Sequence, residues 1–338
     1  MILDFVLPVA KRLMLRLEKI KKVNDVEILI ISNSTDFTTD YICIELNKRT
    51  NKYLRINRDL FRSYSVDFCI DTLELLICIE NTKYRISPSV LKSVYYRAPI
   101  YLHYIPRESL SFEEQLYCSQ WMAFLRNIML FENVLWMNNP TATFKAENKM
   151  LQLKYARESG LQCPTTHLLN STDFISLDDK TSYVVKSLDT VILRKAQREA
   201  FCYTNILTGK EIKQSYIASA PIVLQDNISP KIDIRVTVVG KKAFPVKITN
   251  NGDGINGDWR KHKDIVDFIP FELPCQVENA CIEVARKLGL WFGGIDLAFS
   301  SGKYYFIEIN PTGEWAWLIN STGLRIDKAI CDYLTIGV

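Results

Sequence analysis

Residues 290–318 read LWFGGIDLAFSSGKYYFIEINPTGEWAWL, and this stretch constrains the chain more than any other. Two apolar-rich runs, 292–299 and 303–309, flank Ser300-Ser301-Gly302, so the spacing predicts a hairpin. Asp296 falls in the first run; Glu308 and Asn310 close the second. Residues two apart on an extended chain point the same way, so Glu308 and Asn310 share a face, and pairing across the turn can bring Asp296 opposite them. Two carboxylates and an amide oxygen are hard ligands, few in number. That suits a Mg²⁺ that keeps several waters and shares a nucleotide phosphate. The plain alternative is a hairpin whose polar residues face solvent. Ile295, Leu297, Ile307 and Ile309 flank the polar positions, so acids alternate with core residues, which favours the metal reading.

At 338 residues the chain predicts two or three domains, and its 48% hydrophobic and 24% charged content is that of a globular protein. The formal charge of +4 is concentrated at one end. Residues 1–22 hold six Lys/Arg against two acids, and the remaining 36 basic and 36 acidic residues cancel. The body therefore lacks the surplus expected of a nucleic-acid binder. Nine cysteines are scattered singly with no CxxC, which points to reduced thiols and a cytoplasmic setting. His103, His167 and His262 are too dispersed for a zinc site or a triad. No run predicts a membrane span, and the short apolar start precedes its positive charge, the reverse of a signal peptide. Residues 9–22 read as a basic amphipathic helix, either a packing or dimer-contact element or a membrane-surface one.

Taken in order, residues 27–32 (EILIIS) predict a buried strand, Asn33-Ser34-Thr35-Asp36 a helix start, and 53–56 a second strand, the opening of an α/β layer with a parallel sheet. Residues 66–86 alternate as antiparallel strands. A strand at 93–100 carries Arg97, and a helix over 111–130 presents Phe112, Leu116, Trp121, Phe124, Leu125 and Ile128. Asn138-Asn139-Pro140 breaks the chain. The expected organisation is an extension over 1–24, an N-terminal α/β domain over 25–140, a small central domain over 141–220 and a C-terminal domain over 221–338. A single helix is expected over 143–159, strands near 165–168 and 183–188, then a loop and strand to Thr204. Three strands in succession follow from 221, then a helix over 275–289, the hairpin, and a last helix over 325–334.

Lys186 lies among apolar strand residues in YVVKSL and is costly to bury unless it meets an anion. Lys149 stands at a helical position; alone it reads as a surface lysine, but beside a Mg²⁺ site both lysines become candidates for neutralising phosphates. No GxxxxGK[ST] and no strand-linked GxGxxG occurs, which excludes P-loop and dinucleotide-binding folds. The strand IVLQ runs into a polar hinge, Asp226-Asn227-Ile228, able to offer backbone groups to an adenine edge or to be an ordinary turn. Asp233 and Arg235 share a strand face, where Arg235 suits bidentate contact with phosphate or carboxylate, or a sheet ion pair. Arg260 follows a Gly/Asn/Asp loop, as a loop-borne anion ligand or a solvated arginine.

At these residues the chain resembles a family. IEINPTGEWAWL preceded by GGIDLAF is similar to the metal-binding end of ATP-grasp ligases, and IDIRVTVVG to the strand before it. With ILIISNSTDFTTDYICIELN, SVYYRAP, NKMLQLKYARESGL, YVVKSL and GDWR, the likeness narrows to graspetide (microviridin-type) peptide macrocyclases and extends over about residues 27–318. It implies an α/β (α+β) ATP-grasp fold with an N-terminal pre-ATP-grasp domain, ATP between the last two domains, and a homodimer. Lys149 and Lys186 would contact phosphates; Gln225, Asp226, Asn227 and Ile228 would hold adenine; Asp296, Glu308 and Asn310 would bind Mg²⁺; and Arg235 and Arg260 would stabilise an acyl phosphate. The partner implied is a ribosomally made precursor peptide, leader plus core, whose Asp/Glu side chains are activated and captured by a Ser/Thr hydroxyl or Lys amine. Asp233 is the candidate base. Two features depart from the family pattern. Residues 187–198 contain no glycine where a Gly-rich phosphate loop is common, and Asp226 stands where Glu is common. The alternatives are an amino-acid ligase acting on a peptide or protein carboxylate, and a nucleotide-binding module without turnover.

Overall fold

The computed structural model describes residues 23–97, 110–188, 192–195, 198–201, 204–215, 220–255 and 257–337. The basic segment 1–22 and the end of the strand expected over 93–100 lie outside the described residues. The chain divides into two compact units, one made of the residues up to Pro140 with those from Asp327 on, the other Thr141–Ile326.

In the first unit a parallel sheet has the order Tyr53–Asn57, Ile28–Ser32, Ser93–Tyr96, Leu135–Met137. All five residues of Ile28–Ser32 are buried, as expected of a parallel strand covered on both faces, and this is why ILIIS shows no alternation. The following helix, Phe37–Lys48, is capped by Asp36, whose carboxylate accepts from the Thr39 N–H at 3.2 Å. Residues 64–86 form the antiparallel strands Tyr64–Cys69, Glu74–Ile79 and Thr82–Ile86. The helix Phe112–Asn127 starts with a capping box between Ser111 and Glu114. Its expected apolar face reaches the core only through its C-terminal half. Leu125 and Ile128 are buried and Trp121 stacks on Phe61 at 4.4 Å, but Phe112 is 87% exposed and Leu116 61%. The last helix, Ile326–Ile336, belongs to this unit and not to the domain that precedes it in sequence. Its buried face is tied in by Ser93 Oγ donating to Leu334 O (2.7 Å) and Tyr333 Oη to Trp136 O (3.3 Å).

Besides the two-stranded antiparallel ribbon of Ile192–Lys195 and Arg198–Phe201, the second unit holds two larger antiparallel sheets among the described residues. The smaller has the order Asn205–Thr208, Ser182–Lys186, Ile222–Asp226, Thr166–Leu169. The strand Ile222–Asp226, expected to open the C-terminal block, pairs instead with the Lys186 strand, Val184 opposite Gln225. Val223 and Leu224 are buried in this sheet, so the break between blocks falls after the hinge and not at residue 220. The larger sheet has the order Asp267–Pro270, Lys242–Thr249, Ile232–Val239, Phe292–Ser300, Lys303–Asn310. One of its faces, with Ile234, Val236, Val238, Ile295, Leu297, Phe306 and Ile309, packs on the helices Lys149–Glu158 and Cys275–Leu288. The helix expected over 143–159 is two, Pro140–Ala146 and Lys149–Glu158. The break is at Asn148, whose side-chain oxygen accepts from the Leu151 N–H at 2.9 Å as an N-cap.

Candidate active site

The open face of the larger sheet carries the polar residues that the alternation singles out. Arg235 lies opposite Asp296, and Asp296 opposite Glu308. The second pairing depends on a β-bulge. From the turn, Ser300 pairs with Lys303 and Leu297 with Phe306; in unbroken register Asp296 would then meet Ile307. The register instead shifts between Asp296 and Leu297, leaving Ile307 as the extra residue and Glu308 as the partner. One inserted residue lets Phe306 and Ile309, three apart, both face the core, while Glu308 and Asn310 face the cleft with Asp296. The hairpin was legible in the sequence; the bulge that phases it was not.

Cations converge on the two acids. Lys149 Nζ donates to Glu308 Oε2 at 2.9 Å. Arg235 Nε is 3.3 Å from Asp296 Oδ1, and Arg260 Nη2 is 3.4 Å from Oδ2. Asn310 Nδ2 is 3.4 Å from both Asp296 Oδ2 and Glu308 Oε1. Across the cleft, Lys186 Nζ donates to Gln225 Oε1 at 3.4 Å, and Gln225 Nε2 donates to Thr166 Oγ1 at 2.8 Å. The Gln225 side chain is thus engaged by Lys186 and Thr166. Asp258 holds Arg260 through Nη1 (3.3 Å) and the backbone N–H (3.0 Å). Lys231 is ion-paired with Asp233.

This clustering moves the proton affinities. Burial would raise the Glu308 carboxyl, but Lys149 and Lys186 outweigh it and hold the group well below the usual carboxylate range. Burial wins at Asp296, which Arg235 and Arg260 pull down only in part, so it sits above its ordinary value. Burial lowers Lys186 against the pull of Glu308, and raises Asp233 against that of Lys231.

The site is short of anions. Arg235 approaches Asp296 closely enough for an ion pair but without hydrogen-bond alignment, so its Nε and Nη1 are buried with no hydrogen-bond partner. The guanidinium occupies the space over Gly294, where a Cβ would come within 2.6 Å of Nη1. A phosphate or carboxylate oxygen would satisfy these N–H groups. Among the described residues no group of three or more His, Cys, Asp or Glu is placed to hold a metal. A cation between Asp296 and Glu308 would have two carboxylates and, once the Asn310 amide turns over, one amide oxygen, with the rest from water or phosphate. That donor set fits Mg²⁺.

Lys186, Gln225, Asp226, Asn227 and Ile228 line one cavity with Asp233, Arg260, Asp296 and Glu308. Lys149, Arg235 and Asn310 stand directly against its two acids. Sequence reasoning missed Lys231 and Asp258, which line the cavity and brace Asp233 and Arg260. Their only sequence signal is a spacing of two residues from the groups they hold. It also missed Val184 and Ile206, which with the bulged Ile307 give the cavity an apolar lining.

No protein-family model matches the chain. A curated relative, a probable alpha-L-glutamate ligase 2 of Shewanella amazonensis, is 22% identical over 209 residues, 58% of this chain, and the match spans 66% of that relative's length. Among solved structures, the macrocyclase MdnC of Microcystis aeruginosa, bound with precursor peptide MdnA, superposes with a TM-score of 0.77 at 22% identity, covering 92% of this chain and 99% of that one. The RiPP-associated ATP-grasp ligase of Chryseobacterium gregarium, in complex with ADP and a leader and core peptide, gives 0.75 at 25% identity, covering 92% and 96%. D-alanine--D-alanine ligase of Bacillus anthracis gives 0.51 at 13% identity, covering 90% and 95%. No helix among the described residues is long and apolar enough to cross a membrane. The likeness read from the motifs is borne out: the chain has the ATP-grasp fold, in the form found in the graspetide-type peptide ligases.

Proposed function

We propose that this protein is an ATP-dependent ligase that phosphorylates Asp or Glu side chains of a ribosomally made precursor peptide and closes side-chain rings. Lys186 and Arg260 line one cavity with Asp258, Asp296 and Glu308, Lys149 and Arg235 stand against its two acids, and buried Arg235 N–H groups await an anion; this observation carries the reading. A carboxylate resists attack because its oxygen leaves poorly, and phosphorylation supplies the leaving group. Lys149 and Lys186 offset the nucleotide's phosphates, and the backbone of residues 225–228, beside the apolar lining, takes the adenine. Asp296, Glu308 and Asn310 would hold Mg²⁺, which when bound would supply positive charge against the transferring phosphoryl. Arg235 and Arg260 meet the acyl phosphate formed on the substrate. A Ser/Thr hydroxyl or Lys amine of the same peptide then attacks its carbonyl carbon, phosphate leaves, and an ester or amide ring closes. Sharing one chain gives nucleophile and electrophile proximity. Asp233, which lines the cavity paired with Lys231, is the proposed acceptor of the hydroxyl proton.

The test is a mass spectrum of precursor peptide incubated with protein, ATP, Mg²⁺ and a mixture of free amino acids. Each ring closed removes the mass of one water. An unchanged mass with the correct precursor overturns the proposal, and an increase selects the second reading, an amino-acid ligase, which the curated glutamate-ligase relative favours.

A further inference from the structure

The strand Lys303–Asn310, which carries Glu308 and Asn310, is the edge of its sheet, so one row of its backbone groups has no neighbouring strand. Two devices cover that row. The Gln162 carbonyl accepts from the Phe306 N–H at 2.8 Å. Beyond the bulge, the Gln152 side chain does what a strand would do: its Oε1 accepts from the Ile309 N–H at 3.0 Å, and its Nε2 donates to the Ile309 carbonyl at 2.9 Å. The same Nε2 donates to Ala146 O at 2.6 Å, tying in the end of the preceding helix. Gln152 is only 3% exposed, so these groups have no water to turn to. Ile309 is the residue between Glu308 and Asn310. Lys149, one turn before Gln152 on the same helix, holds Glu308 itself. One helix therefore grips the strand twice, by its backbone at Ile309 and by its carboxylate at Glu308.

We propose that Gln152 is a positioning residue of the metal site, clamping the backbone between Glu308 and Asn310 so that both side chains stay in phase with Asp296. The proposal rests on the reading of those three residues as metal ligands. Both amide functions are required. Gln152→Glu keeps the length but loses two donors, Gln152→Met loses all three bonds, and Gln152→Asn is one methylene too short to reach. The clamp adds nothing to nucleotide binding that does not pass through the metal.

The experiment is binding of ADP by calorimetry with Mn²⁺ as the metal probe and again with EDTA, together with Mn²⁺ paramagnetic resonance, on wild type, Gln152→Glu, Gln152→Met and Glu308→Ala. We expect both Gln152 variants to weaken Mn²⁺·ADP about tenfold and to leave metal-free ADP binding unchanged. Equal weakening with and without metal, as a general loss of structure gives, overturns the clamp, and so does no weakening at all. If Glu308→Ala leaves Mn²⁺·ADP binding intact, the metal-site reading falls. If it weakens binding and the Gln152 variants do not, only the clamp falls. Should the variants not fold, hydrogen exchange on the wild type decides the matter. An Ile309 amide as protected as that of Phe306 supports the clamp, and exchange at the rate of an open edge overturns it.

Discussion

The two sheets facing the cleft of the second unit are built to different standards. The larger packs a face of long strands on two helices, in a core of eighteen buried residues that runs from Ala146 to Ile309. Among the described residues the smaller rests on a cluster of four, Leu169, Leu177, Ile212 and Leu224. The larger carries Arg235, Asp296, Glu308 and Asn310, the groups to which the proposed function gives the phosphoryl chemistry. The smaller carries Lys186 and the hinge, to which it gives the nucleotide. Sparse burial also gives the smaller sheet the lower local stability. Geometry is demanded where the core is deep, and compliance is left where a ligand must enter and leave.

The sharpest way to break this contrast is at the acids. Asp296→Ala and Glu308→Ala should each lower peptide-dependent ADP release by about 10³-fold. A loss under tenfold would mean that the rigid sheet does not hold the chemistry. The next test concerns the cores themselves. Phe306→Ala should cost about 3 kcal/mol of global stability, read from the urea midpoint, whereas Leu224→Ala should cost about 2 kcal/mol and show mainly as faster amide exchange within the smaller sheet. Equal, global responses would erase the distinction.

A third substitution touches placement alone. Gly294→Ala puts a methyl within 2.6 Å of Arg235 Nη1, the movable end of a side chain. Turnover should fall by roughly tenfold, about 1.4 kcal/mol, with a melting temperature within a few degrees of wild type. A large drop in melting temperature with the per-molecule rate intact would show that the glycine serves packing.

The smallest effect belongs to the compliant side. Burial lowers the Lys186 ammonium from its ordinary value of 10.5, so folding disfavours its charged form. That cost is full below the folded-state value, shrinks as pH rises through it, and is gone above about 10.5. Lys186→Met should therefore stabilise the nucleotide-free protein by up to about 1 kcal/mol at neutral pH, with the gain fading as pH approaches 10.5 in denaturation curves. The same variant should weaken ATP binding. A gain that grows with pH would contradict the assigned sign.

The contrast also tracks what the sequence made legible. The larger sheet declares itself because one-sided burial writes alternation into Asp296, Glu308 and their apolar neighbours, broken at the bulged Ile307. Resemblance then supplied the fold. The smaller sheet is less legible, since a short run such as IVLQD does not say which strand it will pair with, and partner choice is a long-range matter. Periodicity likewise marked the face of the helix at Phe112–Asn127 but not its depth, which is why Phe112 and Leu116 proved exposed. The missed braces, Lys231 and Asp258, act through neighbours two residues away, and such pairs occur on any charged surface.

The bulge at Ile307 has a consequence for length change. Because Ile307 is the one supernumerary residue, deleting it would close the ladder into unbroken register with Asp296 still opposite Glu308, whereas one residue more at that point would need a wider bulge or would turn Glu308 and Asn310 away from Asp296. Conversely, two residues added at the Ser300–Ser301–Gly302 tip would extend the ribbon without altering the ligands' parity. Tolerance to length change along this hairpin should therefore be uneven, permissive of paired additions at its tip and of loss at Ile307, and closed to single-residue gain at its root.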